Sequence, residues 1–140
     1  IFHAEDLNDR SATLARQASL PLIATEAAVP TQRSSEDRGM VVHSATAIKT
    51  QQNAGVLVGG TLLNRNLNFI DTINALVYRA KGSDRQGTAT LFLEDVRIST
   101  NVRLFEDVRA LGTRVSAAVR SRVLDNGLTW LDRAFVVQDW

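Results

Sequence analysis

The sequence predicts an α+β domain: an antiparallel five-stranded sheet with helices packed against it. Apolar runs with strand character and stretches with helical spacing follow one another in the order β-β-α-β-β-α-β. The connections are short enough to join antiparallel neighbours. The chain has 140 residues, 44% of them apolar and 22% charged, which suits one packed domain rather than a disordered segment. No internal repeat of solenoid period is visible.

The elements follow in order. Residues 4–18 place Leu7, Leu14 and Ala18 at helical spacing and predict a short helix, with Asn8, Asp9 and Ser11 working against it. Pro21 and Pro30 bracket an apolar stretch that reads as extended or loop, and the polar run 31–37 reads as a surface loop. Met40, Val41, Val42, Thr46 and Ile48 mark a strand over 39–48. A polar turn at 49–53 leads into a second strand over 55–63, and the two form an antiparallel hairpin. Gly59 and Gly60 in mid-strand predict a bulge or a close approach by another group.

Asn68 is placed to cap a helix over 69–79, with Asp71 in the first turn and Phe69, Ile73, Leu76 and Val77 as its apolar stripe. After a loop at 81–87, strands over 88–93 and 96–102 turn back at Glu94 and Asp95. On the second of these, Val96, Ile98 and Thr100 point one way, and Arg97, Ser99 and Asn101 the other. Residues 104–110 read as a connection. A helix over 116–124 has Ser116 as its cap, Val115, Val119 and Val123 on one face, and Gly127 as its stop. The last strand, 130–140, alternates weakly and reads as buried on both faces.

Composition narrows the function. Lysine plus arginine number 16 against 15 aspartate plus glutamate, so the basic excess of a phosphate-reading nucleic-acid binder is missing. Cysteine is absent, which removes disulfides, thiolate metal sites and cysteine nucleophiles. No run of 18 apolar residues occurs. The chain opens at Ile1 without a methionine and closes on an apolar run, and it reads as a fragment of a longer polypeptide.

Catalysis finds no support. No Gly-x-Ser-x-Gly elbow is present, and His43 and Ser44 face opposite ways on one strand. With only His3 and His43, a histidine-rich metal site is not available. Gly59-Gly60 lacks the pattern of a phosphate loop. No catalytic residue, metal or cofactor is expected.

The candidates are therefore binding residues. Arg97, Ser99 and Asn101 put a guanidinium, a hydroxyl and an amide on one strand face, which either meets a ligand or is simply wet. Arg133, with Phe135 and Val137 on its face, either holds an anionic ligand or pairs with Asp95 or Asp132. His43 is a hydrogen-bonded core residue or a ligand contact. Tyr78 closes a pocket or covers the core. Arg38, after Glu36 and Asp37, reaches a ligand or forms a surface salt bridge of small value. Met40, Trp130 and Trp140 read most simply as core.

Gly55-Val-Leu-Val-Gly-Gly-Thr-Leu-Leu-Asn64 resembles the central strand of bacterial Cache domains. Thr88-Ala-Thr-Leu-Phe-Leu-Glu-Asp-Val-Arg-Ile-Ser-Thr-Asn101 resembles the hairpin that follows it, and Gly112-Thr-Arg-Val115 and Ala134-Phe-Val-Val-Gln-Asp-Trp140 continue the likeness. Pro30-Thr31 and Glu36-Asp-Arg-Gly-Met40 also resemble the double-Cache sensor histidine kinases. The resemblance implies a PAS-like module over 38–140, preceded by a helix and loop segment over 1–37 and shorter at both ends than the family pattern. It implies the periplasmic part of an inner-membrane receptor, a histidine kinase, with a chemoreceptor or diguanylate cyclase as alternatives. It further implies a small polar or carboxylate ligand on the Arg97 face, adjacent transmembrane helices, a second Cache module and a possible homodimer. A ligand-free dimerisation relay is the alternative role.

Overall fold

The computed structural model describes residues 1–50, 53–78 and 87–134. At the N-terminus, α1 (Ala4–Arg10) and α2 (Ala12–Ala18) replace the single expected helix. Ser11 separates them with an extended φ of −171°. Its N–H donates to the Leu7 carbonyl at 2.8 Å, and its hydroxyl accepts from the Thr13 N–H at 3.2 Å. One serine thus satisfies the end of one helix and the start of the next, a role that suits its short polar side chain.

The segment expected as loop contains a small antiparallel pair, β1 (Leu20–Pro21) with β2 (Ser35–Glu36). The predicted hairpin is present as β3 (Val41–Lys49) and β4 (Ala54–Leu62). Its register runs unbroken from Val41↔Leu62 to Lys49↔Ala54, so Gly59 and Gly60 make no bulge. Only the base of this hairpin is covered. Leu62 is buried with Leu7 and Ala18, and Val41, Phe2 and Leu14 pack around them. Further out, Val42, Val56, Leu57 and Val58 are exposed.

Helix α3 (Leu67–Val77) begins two residues earlier than expected. Arg65 adopts a left-handed φ of 54°, and the chain enters the helix at Asn66, whose side chain accepts from the Phe69 N–H at 3.1 Å. Asn66, not Asn68, is the cap. The buried face differs too. Ile70 is buried, while Phe69, Leu76 and Val77 of the expected stripe are exposed. The helix lies against β6, so the wall it meets selects its face, and intrinsic periodicity does not.

Strands β5 (Thr90–Leu93) and β6 (Val96–Thr100) pair antiparallel with a register shift between Leu91 and Phe92. Every residue of β6 is buried. Leu93, Val96 and Ile98 form a core with Leu20, joined by Leu22, Met40, Leu91 and Leu111. The connection expected over 104–110 is a short hairpin, β7 (Arg103–Phe105) and β8 (Val108–Arg109). The chain then returns along the free edge of β6. Arg97 N–H donates to the Thr113 carbonyl, and Gly112 N–H to the Arg97 carbonyl, both at 2.9 Å. Gly112 has φ +78°, and a Cβ there would lie 2.1 Å from the Pro21 carbonyl oxygen, so only glycine fits.

The expected C-terminal helix is a short α4 (Ala117–Arg120) that runs on as a π-helical turn, Ser121–Asp125. Ser116 caps it through Val119 N–H at 3.3 Å, and Gly127 leaves it at φ +65°, as expected. The five-stranded sheet is not present among the described residues, where four separate antiparallel pairs stand instead. Trp130 to Ala134 form no strand, because the Trp130 indole donates to the carbonyls of Asp132 (3.1 Å) and Arg133 (3.2 Å) and curls the backbone. The rest of the expected last strand, with Phe135, Val137 and Trp140, lies outside the described residues.

Candidate ligand site

The structure separates the predicted binding residues. Arg97 is buried, with its guanidinium 5.2 Å from the Phe92 ring centroid and a hydrogen bond from Nη1 to the Thr113 hydroxyl at 2.5 Å. Burial lowers its pKa to about 10, so it remains a cation at neutral pH. Ser99 is buried and donates to the Asn66 carbonyl at 3.0 Å. The Asn101 side-chain oxygen accepts from the Ala89 N–H at 2.8 Å. The three do not form one wet face: the register shift puts Arg97 and Ser99 on opposite sides of β6, and each polar group ties the chain to a neighbour.

Arg133 is exposed, and its backbone N–H donates to the Asp132 carboxylate at 2.7 Å. Asp95, one of its expected partners, is held instead by Arg114 at 2.6 Å and approached by Arg120 at 3.7 Å. Tyr78 ends α3 with its ring against Gly87, where an added Cβ would sit 2.1 Å from the ring. His43 stands exposed on β3 with its ring edge-on to Phe2, centroids 6.2 Å apart. Arg38 reaches Glu36 at 2.7 Å and Glu94 at 2.8 Å. Glu36 is buried, so this is more than the expected surface pair.

A cleft of about 630 Å³ opens between the β5–β6 turn and the C-terminal helix, with Phe92 on one side and Val119, Val123, Leu124, Leu128 and Trp130 on the other. Glu94, Arg120 and Thr129 supply its polar groups. The volume lies within the range of small-molecule sites, and apolar walls with few polar groups suit such a role. The local sequence builds it directly. Val115, Val119 and Val123 recur every four residues and turn one apolar stripe into the cleft. The π-turn then shifts the register, placing Leu124 beside Val123 on the lining.

Arg120 is the cationic group on the lining of this cleft. It bonds Asp125 at 3.0 Å and lies 3.7 Å from Asp95, and its side chain is 38% exposed. An ion pair that open is weak and exchangeable, so a ligand carboxylate can replace Asp125 on the guanidinium. Arg97 packs against the Phe92 ring and does not line the cleft. Sequence reading did not single out Arg120, although its place one residue after the Val119 stripe position puts it beside the apolar lining.

A family model, single Cache domain 3, matches residues 61–140. No curated protein and no solved structure matches the chain. The matched segment holds more than half of the chain and the whole lining of the Phe92–Trp130 cleft. Its hairpin, edge segment and helix are those whose geometry has just been described. The chain belongs to the Cache family of extracytoplasmic sensor domains.

Proposed function

We propose that this module senses a small organic carboxylate for a bacterial transmembrane receptor, most economically a sensor histidine kinase. The ligand lays its apolar body along Val119, Val123 and Trp130 and gives its carboxylate to Arg120. The supporting observation is the Phe92–Trp130 cleft: apolar walls, an exchangeable guanidinium at the mouth, and a lining wholly inside the family-matched segment. Binding biases the receptor only by the difference in affinity between its conformations.

A thermal-shift screen against short carboxylates, amino acids and amines tests this. Ligand at one hundred times its Kd adds roughly 2.7 kcal/mol, which raises the midpoint by several degrees in a domain of this size. The expected result is a shift with a carboxylate that vanishes in Arg120→Gln. A flat response, or an equal shift in Arg120→Gln, sinks the reading. Arg97→Ala is the wrong probe, because removing a buried guanidinium costs stability whatever the ligand does.

One observation favours a second reading, a relay that dimerises. The β3–β4 hairpin exposes Val42, Val56, Leu57 and Val58, and between Gly39 and Asn64 the only charged residue is Lys49. Two such hairpins, each carrying a single charge, meet with little charge repulsion. Sedimentation over a range of concentrations decides it: a constant monomer mass removes the relay.

A further inference from the structure

A second cleft, of about 320 Å³ and sharing no lining residue with the first, lies between α1 and the hairpin β3–β4. Its floor is Val58 and Gly60, Leu14 closes one side, and Phe2, Arg10 and His43 supply the rest of the argument. None of these residues belongs to the family-matched segment.

Arg10 occupies the last turn of α1, where a cation is favoured by the helix dipole. Its guanidinium sits 5.4 Å from the Phe2 ring centroid. The His43 ring meets the same phenyl edge-on. The cation and the imidazole therefore flank one aromatic ring across an apolar trough. Among the described residues, neither side chain makes a hydrogen bond or ion pair, so their donors are available. Among the described residues no carboxylate lines the cleft, and its one full charge is the Arg10 cation, which favours an anion.

The room itself comes from a missing side chain. Gly60 pairs with His43 across the hairpin, and a Cβ on it would meet Val41 Cγ1 at 3.1 Å and His43 Cβ at 3.4 Å. A larger residue would occupy the space beside the imidazole. Gly60 has an ordinary negative-φ backbone, so the turn chemistry of the hairpin does not demand glycine here.

From this juxtaposition we infer that the Arg10–Phe2–His43 cleft is a separate binding site for a short carboxylate with an apolar body. The guanidinium takes the carboxylate through parallel N–H bonds, which a planar fork does better than an ammonium would. The hydrocarbon lies over Phe2 and Val58. Phosphate fits worse, because it has no apolar body to cover the trough and asks for more donors than one guanidinium offers. The site is independent of the Arg120 cleft and does not rest on it.

The test is an NMR titration of the whole chain with hexanoate, read at the His43 ring resonances. The chain has only two histidines, so these are readily told apart from His3. The expected result is a saturable shift of His43. Arg10→Gln should weaken it by about tenfold or more, the scale of a charge-assisted hydrogen bond. Gly60→Val should abolish it, and Arg120→Gln should leave it unchanged. Arg10 is exposed, so Arg10→Gln keeps the test valid if Gly60→Val fails to fold. Absence of saturation at millimolar hexanoate overturns the inference, as does an equal response to neutral hexanol or loss of the response in Arg120→Gln.

Discussion

Asn64 joins more of the structure than any residue singled out from sequence. It is fully buried, and its amide nitrogen donates to the Ala18 carbonyl at 3.2 Å and the Arg38 carbonyl at 3.0 Å. Its side-chain oxygen accepts from the Met40 N–H at 2.9 Å. One side chain thus stitches the end of α2 to the entry of β3. Asn64→Leu should cost about 2–4 kcal/mol, since three buried backbone groups lose their partner. Asn64→Asp should cost no less, because it keeps the acceptor, loses both donations and buries a charge. Urea midpoints of the two variants check this, and a change under about 0.5 kcal/mol in Asn64→Leu would refute the role. In the sequence Asn64 stood only as the polar residue that closes the run 55–64. An asparagine after a strand is common, and only the distant Ala18 and Arg38 carbonyls make this one a buried clamp.

At the scale of elements, the two hairpins differ in support. Every residue of β6 is buried between β5 and the returning segment 112–115, whereas β3 and β4 carry their outer two-thirds into solvent. Two strands alone are marginal in water, so the hairpin should open locally far more often than β6. Amide exchange should therefore be fast at 44–48 and 55–59 and slow at 96–100. Equal protection would mean that something covers the hairpin in solution. Val56→Thr should move global stability by no more than about 0.5 kcal/mol in the monomer. Strand periodicity predicted both hairpins correctly, within two residues at each end. It also expected Arg97, Ser99 and Asn101 on one polar face, but the register shift opposite Leu91 and Phe92 breaks that alternation, and Asn66, Ala89 and Thr113 satisfy the three groups separately.

For the whole molecule, Glu36 ties the N-terminal segment to the β5–β6 turn. Arg33 and Arg38 both bond it, and Arg38 extends to Glu94. Burial raises the Glu36 pKa, but hydrogen bonds from Arg38 and Arg33 outweigh this and hold it at about 2. A carboxylate depressed from 4.5 contributes stability that is complete above about pH 4.5 and is lost as pH falls toward 2. The loss should be on the order of 3 kcal/mol. Thermal midpoints measured from pH 6 to pH 2 should fall through that window, and Glu36→Gln should flatten the fall while lowering stability at pH 6. A pH profile unchanged in Glu36→Gln would remove the network as its source. The exposed Glu94 end adds little, since solvent screens it.

The chain's own order of residues determined the α+β class, the two long hairpins, the Ser116 cap, the Gly127 stop and the family. These rest on local rules: alternation, capping chemistry and short motifs act within a few residues. Only the tertiary structure decided which faces are covered. Arg97 and Ser99 do not share one side of the strand, because the register shift pairs them with Phe92 and Leu91 in turn, and both are packed inward, whereas Arg120 on the helix lines the open cleft. Alternation reveals that a strand has two faces and says nothing of what lies against either. The split at Ser11, the turned face of α3 and the pairing of β1 with β2 arose the same way, from contacts between residues far apart in sequence.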